Sequence, residues 1–179
     1  KFGDGIRLMG LAAPTIADGE ERQGASRTWR RHLVALAIAT LAVLALFHRD
    51  LFDMVVIWWT SPTYGHCLLI APIVGWLVWL RWPELREIEP AAWAPGLLPV
   101  AAGALGWLLG DAAGVAFARH LGLVLMVQGA IVALLGRRVS QGIAFPIFYL
   151  LMLVPFGKEL VPPLQIVTAK ICMALLGLV

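Results

Sequence analysis

The side chains best suited to chemistry are a histidine and a thiol that are neighbours in the sequence, His66 and Cys67. A thiol beside an imidazole can be activated as a nucleophile. Consecutive residues of a helix point about 100° apart, however, which favours Cys67 as a small apolar packing residue. Cys172, the other thiol, lies inside an apolar run, and we interpret it as packing too.

His66 follows a loop rich in Trp and Tyr and stands where an apolar segment begins. Two interpretations stay open. A solvated imidazole at this boundary could shuttle protons or orient a substrate, because its charge changes near neutral pH. Alternatively, the ring bonds to backbone and serves only to start the helix. Tyr64 of the same loop is a second candidate for lining a site.

Charged residues offer few other candidates. Lys158 lies in a proline-rich elbow that follows Pro155, and it is the third candidate site-lining residue. Arg119 and Asp111 border a short turn and could pair across it. We interpret Arg119 as structural, because a long basic side chain at a helix end can reach water. Among the remaining histidines, we interpret His48 and His120 as ordinary interface residues and His32 as part of the basic cluster before the first span.

The sequence contains no Gly-rich phosphate loop, no HExxH and no GxSxG motif. The two cysteines do not form a CxxC pair. These residues therefore predict no cofactor, no metal site and no complete catalytic set.

The elements that must position these residues are apolar helices. Of the 179 residues, 60% are hydrophobic and only 14% are charged, whereas about a quarter is usual for soluble domains. The charge-free runs are as long as bilayer-spanning helices, which need about 20 residues; they cover 32–48, 54–80, 90–110, 120–136 and 139–157. A water-soluble domain, a disordered chain and a disulfide-stapled mini-protein are excluded.

The sequence predicts an all-α, polytopic transmembrane helical bundle. Ser61-Pro62 should break the second run into an amphipathic approach, 52–60, and a span, because proline donates no backbone hydrogen bond. Small residues at spacings of three and four should let the third span pack closely on another helix. Five spans are expected at 29–47, 67–80, 93–110, 120–135 and 141–155, with Trp29 as an interfacial anchor of the first. A sixth spanning or interfacial helix is expected at 160–179.

Basic residues mark one side of the membrane. Eight of them lie at 22–31, 81–86 and 137–138, and the alternate loops hold only Arg49, Arg119 and Lys158. The positive-inside rule then predicts a cytoplasmic amino terminus, and it places the His66 loop and the Pro155 elbow on the same external face. Residues 1–31 are predicted to be a flexible cytoplasmic tail, and 32–179 the membrane domain. The net charge of +3 reflects this topology, and no nucleic-acid partner is expected.

Two segments carry a resemblance to a known family. Residues 58–85 read WWTSPTYGHCLLIAPIVGWLVWLRWPEL, and residues 145–178 read FPIFYLLMLVPFGKELVPPLQIVTAKICMALLGL. Together with FHRD at 47–50, GDAAGV at 110–115 and LLGRRV at 134–139, they resemble the exosortase family, and the proteobacterial exosortase A type most closely. The similarity covers about 30–179.

The resemblance implies a multi-pass cysteine transpeptidase or protease of the bacterial inner membrane. Such enzymes process carboxy-terminal sorting signals of the PEP-CTERM type on secreted client proteins, in association with exopolysaccharide production. The implied partners are therefore a sorting-signal helix and the lipid bilayer. The implied chemistry is thiolate attack on a peptide carbonyl to form an acyl-enzyme.

The family nucleophile lies in an Ala-Cys-Ser-Gly segment with a basic partner further on, and both are expected beyond Val179. Neither Cys67, which stands where the family usually has glycine, nor Cys172 matches that segment. Among the family's motif residues, His66 alone carries over to a possible site role. We therefore expect a truncated amino-terminal portion that is inactive by itself.

A different class remains as the alternative: a transporter, or a non-catalytic assembly subunit of an envelope polysaccharide system. A transporter should bury paired charges at the middle of the membrane and show repeated halves. The sequence shows neither, because its charges lie at the ends of spans. For the transpeptidase, a substrate helix is expected to dock against the Gly-rich face of the third span.

Overall fold

The computed structural model describes residues 16–156 and 161–177. This part of the chain is mostly helical and contains no strand. Short 3-10 turns at Ala94–Gly96 and Leu150–Leu153 accompany seven α-helices: α1 (Ile16–Leu46), α2 (His48–Thr60), α3 (Cys67–Leu85), α4 (Leu97–Ala112), α5 (Ala116–Gly142), α6 (Ala144–Tyr149) and α7 (Val161–Leu176). Helix α1 begins inside the segment that the sequence predicts as a tail.

The protein is an all-α membrane bundle, as predicted. Three of the described helices are long and apolar enough to cross a bilayer: Ser26–Leu46, Cys67–Leu85 and Ala116–Gly142. The predicted third span corresponds to α4 with its preceding 3-10 turn. The predicted count of five spans is not confirmed by these lengths and stays a prediction.

The predicted fifth span runs through the bundle in pieces. Helix α6 passes into the 3-10 turn and then into extended backbone at Val154. Ile143, at its start, packs in the same cluster as Leu85, whereas the Phe156 ring lies 5.3 Å from that of Phe117 at the other end of α5. The helical part rises only about 15 Å, half the hydrocarbon thickness.

Hydrophobic clusters define the two ends of the bundle. The basic end, near the arginines of 27–31 and 137–138, buries Trp29, Leu85, Leu135, Val139 and Ile143. The loop end, near residues 61–66 and the turn at 113–115, buries Met54, Leu123, Val124, Met126 and Val154. Each cluster joins helices that are distant in sequence, so the side chains at both ends are held in place.

Trp29 is not the interfacial anchor that the sequence predicts. Its side chain is only 7% exposed, and its ring meets that of Trp82 edge-on with centroids 5.2 Å apart. Its Nε1 donates a hydrogen bond to the carbonyl of Ile88 at 3.1 Å. Trp76 and Trp79 do face outward, as interfacial tryptophans should.

Local sequence rules place the helix breaks correctly. Helix α2 ends at Thr60, directly before Ser61-Pro62. The α5 helix is interrupted at Gly136, where φ is +83°, and a Cβ there would lie 1.9 Å from the carbonyl oxygen of Ala91. Only glycine combines this φ with so close an approach. This interruption follows Leu135, the predicted end of the fourth span, by one residue, although the candidate span as a whole is Ala116–Gly142.

Helices α4 and α5 are in backbone contact through small residues. A Cβ on Gly103 would lie 2.6 Å from the carbonyl oxygen of Gly122, and one on Gly110 would lie 2.7 Å from the Cβ of Ala118. The predicted close packing of the third span is confirmed at these positions. Gly106 is different, because a Cβ there would meet nothing within 4 Å.

This packing corrects the expectation of a docking site for a substrate helix. The face of α4 that carries Gly103 and Gly110 is already covered by α5 of the same chain. Small residues at this face let two backbones approach, which is how helices associate in lipid. No room is left on that face for a second helix.

The α4–α5 contact gives a test with a matched control. Gly103→Ala should lower the stability of the detergent-solubilised protein by about 1–3 kcal/mol, since the added methyl forces two backbones apart. Gly106→Ala should leave stability unchanged or raise it by up to about 1 kcal/mol, because alanine favours the helix and meets open space. Thermal unfolding of both variants measures this, and equal losses would contradict the packing.

Candidate functional site

A buried carboxylate forms the centre of the polar network at the loop end. Asp50 lies in the first turn of α2, and its side chain is 7% exposed. The indole Nε1 of Trp107 donates to its Oδ2 at 2.8 Å, and the guanidinium Nε of Arg119 lies 3.3 Å from its Oδ1. Both oxygens thus have a polar partner, one from α4 and one from α5, as a buried polar group requires.

Arg119 links this buried carboxylate to an exposed one. Its Nη1 donates to Oδ1 of Asp111 at 3.3 Å, across the turn between α4 and α5. The pairing predicted from their positions is therefore confirmed. The side chain of Arg119 is 28% exposed and that of Asp111 is 51% exposed, so this second contact is the weaker of the two.

Two further titratable groups lie beside Asp50. The ligand atoms of Asp50, Asp53 and His120 all lie within 4.8 Å of one another. His120 is only 2% exposed, which makes its interpretation as an interface residue wrong. His48 is exposed, with its ring Nδ1 3.1 Å from the carbonyl oxygen of Ala45, as that interpretation expects.

The Asp50 cluster is better explained by its ion pair than by a metal. A divalent cation at Asp50 would have to share the carboxylate oxygens with Arg119 and Trp107. A guanidinium 3.3 Å from the carboxylate would also repel a second cation. The geometry therefore describes a charge network that fastens α2 to α4 and α5.

The His66 loop and the Pro155 elbow, which the sequence predicts to share one face, are in contact in the structure. The Tyr64 hydroxyl donates to the carbonyl of Phe156. The Trp58 indole Nε1 donates to the carbonyl of Leu153 at 3.0 Å. The thiol of Cys67 donates to Met152 at 3.4 Å. These carbonyls lie where the 3-10 turn ends and helical acceptors lose their partners, so the loop completes the hydrogen bonding of the broken span.

His66 combines both of the features left open by the sequence. Its side chain is exposed, and its ring Nδ1 lies 3.0 Å from the carbonyl oxygen of Thr63. Because a carbonyl can only accept, Nδ1 is the donor in this bond. In the neutral ring, Nε2 is then the unprotonated nitrogen and can accept a proton.

Cys67 is brought closer to His66 than the sequence argument expects. Its Sγ lies 3.8 Å from Nε2 of His66, since His66 precedes the helix and its ring folds back over the first turn. The thiol is nevertheless 1% exposed and directed at the carbonyl of Met152. Cys172 is exposed on α7, which corrects its interpretation as a packing residue.

A groove of about 480 Å³ opens beside the loop. Tyr64 and Ser61 line one side of it, and Pro162 at the start of α7 lines the other. From residue 162 to residue 177 every side chain of α7 is exposed. Lys158, the third candidate from the sequence, lies outside the described residues.

Sequence reasoning missed Asp50, Trp107 and His120 as members of one network. One signal was available: the alternation of basic loops puts the end of the first span and the start of the fourth on the same side. An acid at one of these ends and an arginine at the other are candidates for pairing.

The Asp50 network predicts a graded response to charge removal. Asp50→Asn should destabilise the protein by about 2–3 kcal/mol, because it withdraws a buried, hydrogen-bonded charge from Arg119. Asp111→Asn, the matched control on the same arginine, should cost no more than about 1 kcal/mol. Thermal unfolding of each variant alone and combined with Arg119→Gln gives the two coupling energies. A larger coupling for Asp111 would contradict the network.

Comparison with known proteins identifies one family. A family model described as transmembrane exosortase (Exosortase_EpsH) matches residues 58–179. No curated protein and no solved structure matches the chain. The matched residues begin at Trp58 and include the loop and α3 to α7, while α1 and Asp50 lie before them.

Proposed function

Because the chain belongs to the transmembrane exosortase family, we propose that it functions in a membrane-embedded cysteine transpeptidase. It processes carboxy-terminal sorting signals of the PEP-CTERM type on secreted client proteins, and this sorting is linked to exopolysaccharide production. The enzyme lies in the bacterial inner membrane with its amino terminus in the cytoplasm. The family match over 58–179 is the observation that carries the proposal.

The loop end forms the substrate entrance in this proposal. Tyr64 and Trp58 fix residues 153–156 against the loop, and the groove beside them is open to the outside. Tyr64 lines this groove, and His66, which is exposed, follows Tyr64 by two residues. Lys158, the third residue proposed for the entrance, lies outside the described residues. Nε2 of His66 can accept a proton from an approaching nucleophile.

Neither cysteine of the chain is the proposed nucleophile. The Cys67 thiol is buried against a backbone carbonyl, so a peptide cannot reach it. Cys172 is exposed on an apolar helix beside Gln165 and Thr168, and neither can act as a general base. The proposed nucleophile is the cysteine of an Ala-Cys-Ser-Gly segment beyond Val179, whose thiolate attacks the peptide carbonyl and forms an acyl-enzyme.

The Asp50 network has a positioning role in this proposal. Asp50 lies in the first turn of α2 and Trp58 in its last, so the ion pair with Arg119 fixes the helix that delivers Trp58 to Leu153. The outward face of α2 is apolar, with Phe52, Val55 and Trp59 exposed. Such a helix lies at the membrane surface, beside the entrance that it orients.

The proposal is tested by replacing cysteines in the full-length gene product. A client protein with a PEP-CTERM-type signal should be cleaved, and alanine at the Ala-Cys-Ser-Gly cysteine should lower the cleavage rate by at least about a thousandfold. Cys67→Ala and Cys172→Ala should keep cleavage near the wild-type rate. Electrophoresis of the client measures this. Cleavage that survives the first replacement, or is lost only with Cys67, would overturn the mechanism.

His66 has a close structural control in His48. Both are exposed, and both have Nδ1 about 3 Å from the carbonyl oxygen three residues earlier. His66→Gln should lower client cleavage about a hundredfold or more if Nε2 accepts a proton during the reaction, and His48→Gln should not. Equal cleavage rates for the two variants would show that His66 serves only to bind the backbone carbonyl of Thr63, and they would refute its role at the entrance.

One observation favours the alternative, a transporter or a non-catalytic subunit of an envelope polysaccharide system. The fifth segment is a discontinuous helix, which is common in transporters. The buried ion pair of Asp50 and Arg119, however, lies at helix ends, where it joins α2 to α5. The absence of client cleavage by the intact full-length protein would favour this alternative.

A further inference from the structure

A second groove lies at the basic end and is independent of the proposed function. It has a volume of about 930 Å³ and lies between α1 and the end of α3. Trp29, Arg30 and Leu33 line it from α1, and Trp82, Arg86 and Glu87 line it from the opposite side. We call it the basic groove.

The mouth of the basic groove carries excess positive charge. Arg30 lies in α1 and Arg86 directly follows α3, and Glu87 is the one acidic residue in the lining. Glu84 nearby is already paired with Arg81 at 3.2 Å. A smaller groove of about 460 Å³ shares Arg30 and adds Arg27 and Arg31. The field at this mouth therefore favours an anion.

The deeper wall of the basic groove is apolar. Leu33, Val34 and Ala37 follow Arg30 by three, four and seven residues, which puts them on one face of α1. Their side chains are exposed in the described part of the chain. They extend this wall about 10 Å along the helix below the arginine.

The floor of the groove is fixed in place. The rings of Trp29 and Trp82 are in edge-on contact, and the Trp29 indole is anchored to the carbonyl of Ile88. The groove therefore keeps its shape between two helices. A guanidinium pair at one end and an aliphatic wall at the other match an amphiphile with an anionic head.

We propose that the basic groove binds an anionic phospholipid, with the phosphate between Arg30 and Arg86 and an acyl chain along Leu33 and Val34. Guanidinium groups bind phosphate oxygens through two parallel hydrogen bonds. Basic pockets between membrane helices bind such head groups. A free phosphate would use the arginines but leave the aliphatic wall uncovered.

Lipid retention by the detergent-solubilised full-length protein tests this proposal. Native mass spectrometry should detect retained phosphatidylglycerol in preference to phosphatidylcholine with the same acyl chains. The double variant R30Q/R86Q should lower phosphatidylglycerol retention by roughly fivefold for each arginine removed. The matched control R137Q/R138Q removes two exposed arginines from the same end but outside the groove, and it should retain the lipid like the wild type.

Several outcomes would overturn the proposal. Equal retention of the two lipids by the wild type would exclude selectivity, and an equal loss in R137Q/R138Q would assign it to surface charge in general. Displacement of the lipid by glycerol phosphate alone would indicate an anion site without an acyl contact. Should R30Q/R86Q fail to fold, Val34→Trp fills the groove without removing charge, and it should also reduce retention; unchanged retention would refute the site.

Discussion

The structure depends on one constraint: inside a membrane, a backbone carbonyl that loses its helical partner must find another donor. Where the helices of this chain break, side chains supply that donor. Trp58 and Tyr64 bind carbonyls at the end of the broken fifth segment, and Gln128 binds Ile147 inside it at 2.6 Å. At the basic end, His32 Nδ1 donates to Leu134, close to the break at Gly136, at 2.6 Å.

These side-chain bonds explain how the two ends of the bundle acquire different characters. At the loop end they hold a polar loop against a segment of extended backbone, and the Asp50–Arg119 pair fixes the helix that leads into it. At the basic end, Trp29 and His32 tie α1 to the rest of the bundle. The arginines around them are left facing outward. One end is thus arranged around a groove next to a histidine, and the other around a groove next to arginines.

Features that follow from local rules could be predicted from the sequence. Proline at 62 ends a helix for reasons contained in a few residues. Asp111 and Arg119 pair because a short turn brings them together, and Gly103 packs because small residues are needed wherever helices touch. The all-α membrane bundle itself follows from apolar runs of spanning length.

Features that depend on the arrangement of the helices around one another could not be predicted from the sequence. Hydropathy gives the depth of a residue in the membrane but not the direction in which it faces. It therefore placed Trp29 and His120 at the interface, whereas both are buried against other helices. Asp50 binds a tryptophan 57 residues away, and only the assembled bundle brings them together. The broken fifth segment was missed for the same reason, since its freed carbonyls are bound by residues of a distant loop.

The Asp50–Arg119 pair also has a consequence for the order of assembly during synthesis. Arg119 is added to the chain 69 residues after Asp50, which is roughly 3–14 s at ordinary rates of translation. Throughout that interval the carboxylate has no guanidinium to neutralise it. It must stay in contact with water at the membrane surface, where the amphipathic α2 can hold it. The contacts of the loop end therefore form only after the helical hairpin of α4 and α5. The short turn between these two helices lets the hairpin form as soon as both have left the ribosome.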